Sequence, residues 1–141
     1  MRLLFCGAGI ALVLSGCSTT STPMSSDAGP PPVNYKQAVA DTVRSTFFDP
    51  YTIRDASISQ PLYASAVFDG QTPIPRSGWI VCLRANAKNK MGGYIGQQVT
   101  LMLFKGESVD LTISGPDYQG QVEDDCRTAV FAPFHEIEQT Q

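Results

Sequence analysis

The sequence predicts an α+β fold: one N-terminal amphipathic helix packed on a small antiparallel β-sheet, stapled by a disulfide. Three observations predict it. Apolar residues recur every four positions over Tyr35, Val39, Val43 and Phe47, and the period then shortens toward two. The later apolar runs are separated by turn residues such as Asp69-Gly70 and Lys105-Gly106-Glu107-Ser108. Of four cysteines, only two fall where a folded domain can use them. A chain of 141 residues argues for one domain at most, expected over residues 34–141.

The helix is expected to start at Asn34, a favourable N-cap residue. Its core-facing stripe is Tyr35, Val39, Val43 and Phe47, while Lys36, Asp41 and Arg44 fall elsewhere. Asp49-Pro50 ends it, because a residue before proline is pushed out of the α region. The segments "IRDASIS" and "LYASAVF" then read as strands. "WIVCLRAN" alternates cleanly, with Trp79, Val81, Leu83 and Ala85 on one face and Ile80, Cys82, Arg84 and Asn86 on the other. "QVTLMLFK" and "VDLTIS" follow, so the last three strands make an antiparallel meander with the helix on its apolar face. Beyond Gly115-Pro116, "QVEDDCRTAVF" is expected to hold a short helix. "APFHEIEQTQ" reads as a tail packed by Phe131 and Phe134.

The first 33 residues cannot belong to that core. Arg2 precedes an uncharged apolar run, Leu3 to Leu14, which is signal-peptide length and too short to span a bilayer. Residues 1–16 are read as a signal peptide. Residues 17–33, a cysteine followed by a Ser/Thr-rich and then Pro-rich stretch, lack the apolar content to fold and are read as a disordered tether. Removing Arg2 leaves 9 basic against 13 acidic residues, a net charge of −4 on the mature chain. An acidic chain without a clustered basic face argues against nucleic acid as a partner.

The end of the apolar run, Leu14-Ser15-Gly16-Cys17, resembles the lipobox of bacterial lipoproteins. The resemblance implies cleavage before Cys17 and diacylation of its sulfur, with the new amino group open to acylation. Two or more chains give stable membrane anchoring where one does not. Ser18 in place of Asp after the cysteine implies export to the outer membrane. The expected location is therefore the bacterial envelope, with the domain in the periplasm or at the cell surface.

Cys6 leaves with the signal and Cys17 is used for lipid, which leaves Cys82 and Cys126. In an exported protein the simplest use of two such cysteines is a disulfide. It closes a loop of about 45 residues, worth about 4 kcal/mol in the chain-entropy model. Two buried free thiols are the alternative.

Catalytic constellations are sparse. His135 is the only histidine and lies close to the C-terminus, which reads as a surface tail position. The chain has no Gly-x-Ser-x-Gly, no His-Glu-x-x-His and no Cys-x-x-Cys. Glu123-Asp124-Asp125 lacks the spaced ligands and turn glycine of an EF-hand. The expectation is no enzyme, no metal and no cofactor.

The segment "NAKNKMGGYIG", Asn86 to Gly96, is the candidate binding loop. It departs from a nucleotide P-loop, because Lys88 and Lys90 precede the glycines and a strand follows. Two readings stay open. One is a strand connection in which the glycines supply positive φ. The other is a binding loop displaying Asn86, Lys88, Asn89, Lys90 and Tyr94.

Phe47-Phe48-Asp49-Pro50, Val81-Cys82 and Asn86 to Gly96, in that order, resemble a family of small bacterial exported proteins and lipoproteins. The family pattern ends in Asn-Ala-Lys-Asn-x-x-Gly-Gly-Tyr-x-Gly. The resemblance spans roughly Tyr35 to Gly96 and brings no activity with it. The functional expectation is a membrane-anchored interaction or structural protein of the envelope, with an envelope protein or glycan as partner. A small module for an anionic glycan or lipid headgroup, and an inhibitor of an envelope enzyme, are the alternatives.

Overall fold

Helix α1 (Tyr35–Thr46) buries Val39, Ala40 and Val43 and turns its charged residues outward. A 3-10 turn over Pro50–Thr52 follows and leads into β1 (Arg54–Ser59). The chain then forms β2 (Leu62–Val67), β3 (Arg76–Asn86), β4 (Gln98–Lys105) and β5 (Ser108–Ile113). Helix α2 (Gln119–Asp125), strand β6 (Phe131–Pro133) and a 3-10 turn over His135–Ile137 complete it. These assignments come from a computed structural model that describes residues 28–138. The expected signal peptide, Cys17 and Ser18 lie outside the described residues. Among the described residues no helix is long and apolar enough to cross a membrane.

All six strands join one antiparallel sheet in the order β5, β4, β3, β1, β6, with β2 also paired to β3. The long β3 explains that arrangement. Its C-terminal half pairs with β1 and its N-terminal half with β2, so β1 and β2 lie end to end along one side of it. They break at Gln60-Pro61, where proline offers no N–H to the ladder. The Ser59 hydroxyl covers the gap: it accepts the Cys82 N–H at 2.9 Å and donates to the Gln60 carbonyl.

The sheet is covered on both faces. On one, Val81, Leu83, Ala85, Met102, Phe104 and Ile58 pack under α1, with Phe134 and Ile137 closing the side. On the other, Ile80, Cys82, Leu101, Leu103 and Ile113 pack against Val122 and Cys126. The helix-on-sheet expectation covered only the first face. The second explains why β4 is buried at nearly every position, as in strands enclosed on both sides. The Cys82–Cys126 disulfide spans 44 positions with a Cα–Cα distance of 6.0 Å, tying the C-terminal segment to the second face.

Four local expectations are corrected. Asn34 makes no side-chain cap; the Glu107 carboxylate instead holds the chain entering the helix, accepting the Val33 N–H at 3.0 and 3.1 Å and the Asn34 N–H at 2.8 Å. A carboxylate there also meets the positive end of the helix dipole. Helix α1 stops at Thr46, three residues before Asp49, because Phe47 is already extended. Residues 28–33, expected in the tether, lie against the domain: Gly29 accepts the Trp79 indole N–H at 3.0 Å, and Pro32 is buried. The expected C-terminal tail contains a sixth strand, β6, at the sheet edge beside β1. Pro133 suits that position, since an edge strand has no need of every N–H.

Candidate functional site

The loop between β3 and β4 is a small hairpin of its own, closed by a bridge between Lys88 and Tyr94. Asn89 organises it. Its N–H donates to the Gly93 carbonyl and its carbonyl accepts from Gly92, both at 2.9 Å. Its side-chain oxygen accepts the N–H groups of Met91 and Gly93 at 3.0 and 3.1 Å. Gly92 and Gly96 have φ of +81° and +92°, a region that L side chains rarely adopt. At the base, the buried Asn86 accepts the Gly96 N–H at 3.2 Å.

The same bonds leave little of this loop's backbone for an anion cradle. Such a cradle needs backbone N–H groups pointing at the ligand. Here those of Asn89, Met91, Gly92, Gly93 and Gly96 are all taken inside the loop.

Tyr94 fixes the loop to the rest of the domain. Its hydroxyl donates to the Thr52 carbonyl at 3.0 Å, and the Thr52 hydroxyl accepts the Lys88 N–H at 3.2 Å. The Arg54 guanidinium stacks on the Tyr94 ring at 3.6 Å and the Lys88 ammonium lies 5.6 Å from its centroid. Arg54 gets there through a bulge in β1, where Asp55 has φ of +54° and its carbonyl accepts the Gln97 amide at 2.9 Å. Aspartate is among the few residues that adopt this backbone readily.

The five candidate residues therefore separate. Asn86, Asn89 and Tyr94 shape the loop and hold it. Lys88 and Lys90 remain as charge, and neither forms an ion pair among the described residues.

Beside the loop lies a feature with no simple sequence signal. A cleft of about 290 Å³ opens between the end of α1, the loop and the end of β5. Phe47, Phe48, Ala85, Ala87 and Ile95 give it apolar walls, and Lys88 and Asp49 are its charged members. Phe48 is 67% exposed and Ile95 57%, with Tyr51 at 71% and Met91 at 93% at the same end of the domain. Phe48 and Ile95 are 47 positions apart, so only the fold makes them neighbours.

The other sequence candidates are placed elsewhere. His135 is exposed and 2.7 Å from Glu138, whose carboxylate also accepts the Ala56 N–H. The hydrogen bond and charge of Glu138 raise the His135 pKa above its ordinary value. Glu123, Asp124 and Asp125 lie on α2. Burial raises the Asp125 pKa, and its Oδ2 has no partner. Among the described residues no group of three or more metal-ligating side chains comes together.

Comparison of the chain with protein-family models, with curated proteins and with solved structures finds no match.

Proposed function

We propose that this protein is a membrane-anchored bacterial lipoprotein whose domain serves as a non-enzymatic interaction or structural element of the cell envelope. The anchoring half of the reading is supported by Leu14-Ser15-Gly16-Cys17, with Ser18 favouring the outer membrane. The interaction half is carried by one observation: Phe48 and Ile95 stand exposed on the walls of an apolar cleft, with Tyr51 and Met91 exposed in the adjoining turn and loop. Apolar exposure gathered at one place marks contact surfaces more often than single exposed residues do.

Membrane fractionation tests the anchor. Wild type is expected in the membrane fraction, released by detergent and not by salt. Cys17→Ala is expected to lose the acyl chains and to run larger on a gel through retention of its leader. A Cys17→Ala protein that is processed and fractionates like wild type contradicts the reading.

A second reading has one observation in its favour. Lys88 and Lys90 stand close together without ion pairs among the described residues, which suits an anionic glycan or lipid headgroup. Binding to such ligands that survives Lys88→Ala/Lys90→Ala unchanged removes it.

A further inference from the structure

The strands give the domain a direction. β3 begins at Arg76 beside the β4–β5 turn and ends at Asn86 beside the glycine loop. At the first end sits the N-terminal segment: Ala28 lies beside Arg76, Ser77 and Gly106, Gly29 is bonded to Trp79, and Val33 and Asn34 to Glu107. At the other end are Phe48, Ile95, Lys88 and the cleft. The nine steps from Ser77 to Asn86 cover about 30 Å at strand rise. The chain toward Cys17 and the cleft therefore leave the domain at opposite ends.

That polarity narrows what can fill the cleft. The eleven residues from Cys17 to Ala28 reach at most about 40 Å. Met24 is their one large apolar side chain, and it is only four residues from Ala28, too few to cover the length of the domain. The segment between Cys17 and Ala28 therefore supplies no occupant.

The remaining features describe the occupant. The cleft is concave and at the small end of ligand-pocket size, which suits one bulky apolar side chain and not a flat lipid surface. Lys88 on its wall forms no ion pair among the described residues, and Lys90 on the same loop is a second unpaired cation there; Asp49 is the one carboxylate in the lining, and Arg54 is paired with Asp55. The walls are held before binding by the bonds of Asn86, Asn89 and Tyr94, which lowers the ordering cost of association.

We infer that the cleft between Phe48 and Ile95 docks a polypeptide segment that carries a bulky apolar side chain next to a carboxylate, the first entering the cleft and the second pairing with Lys88. This rests on the proposal that the loop end is a contact surface, and it adds the chemistry of the partner. It does not require lipidation.

The test uses the mature chain from residue 17 with Cys17→Ser, panned against a displayed random heptapeptide library. Enriched peptides are expected to place Leu, Phe or Trp within two residues of Asp, Glu or a free C-terminus. A synthetic peptide of an enriched sequence is then titrated by fluorescence anisotropy. Affinity is expected to fall at least tenfold in Ile95→Asp and in Phe48→Ala, and not in Val130→Asp, an exposed site elsewhere. Lys88→Glu is expected to turn the enriched set from acidic to basic. Melting curves confirm that each variant folds, and both cleft positions are exposed enough to tolerate change. Absence of enrichment, enriched peptides without acidic residues, or binding indifferent to both cleft variants overturns the inference. So does tighter binding to phosphatidylglycerol vesicles than to any peptide, with loss in Lys88→Ala/Lys90→Ala, which assigns the end to a lipid surface. Failure here leaves the anchor untouched, since Cys17 fractionation is read independently.

Discussion

The Tyr94 hydroxyl donates to the Thr52 carbonyl at 3.0 Å, joining the β3–β4 loop to the turn after α1 across 42 positions of sequence. One wall of the cleft comes from each side of this bond. Tyr94→Phe keeps the ring under Arg54 and removes only the hydroxyl. The expected cost is about 1 kcal/mol, the usual net worth of one hydrogen bond. In a domain of this size that lowers Tm by about 4–6 °C. Faster hydrogen exchange at Lys88 and Gly93, with β4 unaffected, is the accompanying sign; unchanged exchange in the loop contradicts the role given to Tyr94.

Asn89 has the larger local role, since its side chain accepts two backbone N–H groups. Asn89→Ala leaves both without their acceptor. The loop amides of Met91 and Gly93 are expected to lose protection while the disulfide-linked face keeps its own. Asn89→Asp retains the acceptor oxygen and is expected to restore most of the protection. Equal behaviour of the two variants contradicts the assignment.

Much of this fold is legible in residue order, and the parts that are not share a cause. Strand β4 occupies the segment "QVTLMLFK", and β3 shows the predicted alternation, because each follows from local period. The disulfide follows from the count of cysteines left for the domain. Strand β6 has no period to read: it is three residues ending in proline, and it exists through pairing with β1 some 75 positions away. The docking of residues 28–33 depends on Trp79 and Glu107, 50 and 74 positions distant. In the loop, asparagine and tyrosine are equally good at binding ligands and at satisfying backbone, and only the acceptors they meet decide. Phe48 and Ile95 look like scattered apolar residues until the fold sets them across a cleft.

Removal of the Cys82–Cys126 bond by the double change to Ala is expected to cost about 4 kcal/mol by the chain-entropy model. Both cysteines are buried on the face under α2, so part of the loss is packing. A urea titration should show a lower midpoint, with α2 and Ala129 gaining exchange before α1 does. A midpoint within error of wild type contradicts the stapling role.

The C-terminal turn should respond to pH in both directions. The Glu138 carboxyl is held below its ordinary 4.5 by the hydrogen bond with His135 and then by the Ala56 N–H. Its contribution is present above pH 4.5 and is lost as pH falls through the lowered value. His135 is raised above its ordinary 6.5 by Glu138. Its contribution is full below pH 6.5 and is lost as pH rises through the raised value. The opening free energy at the Ala56 amide, corrected for intrinsic exchange, is expected to be greatest between about pH 4.5 and 6.5. Glu138→Gln should flatten the profile; a wild-type profile that is already flat contradicts it.

The central claim is that the end of the domain around Phe48 and Ile95 is a contact surface of an envelope-anchored protein. Photo-crosslinking in living cells tests it most directly. A photoreactive residue at Ile95 of the full-length chain is expected to give a discrete protein adduct that disappears on adding Phe48→Asp. The same probe at Val130 should give none. Identical diffuse labelling from both positions, or an adduct at Val130 alone, contradicts the account.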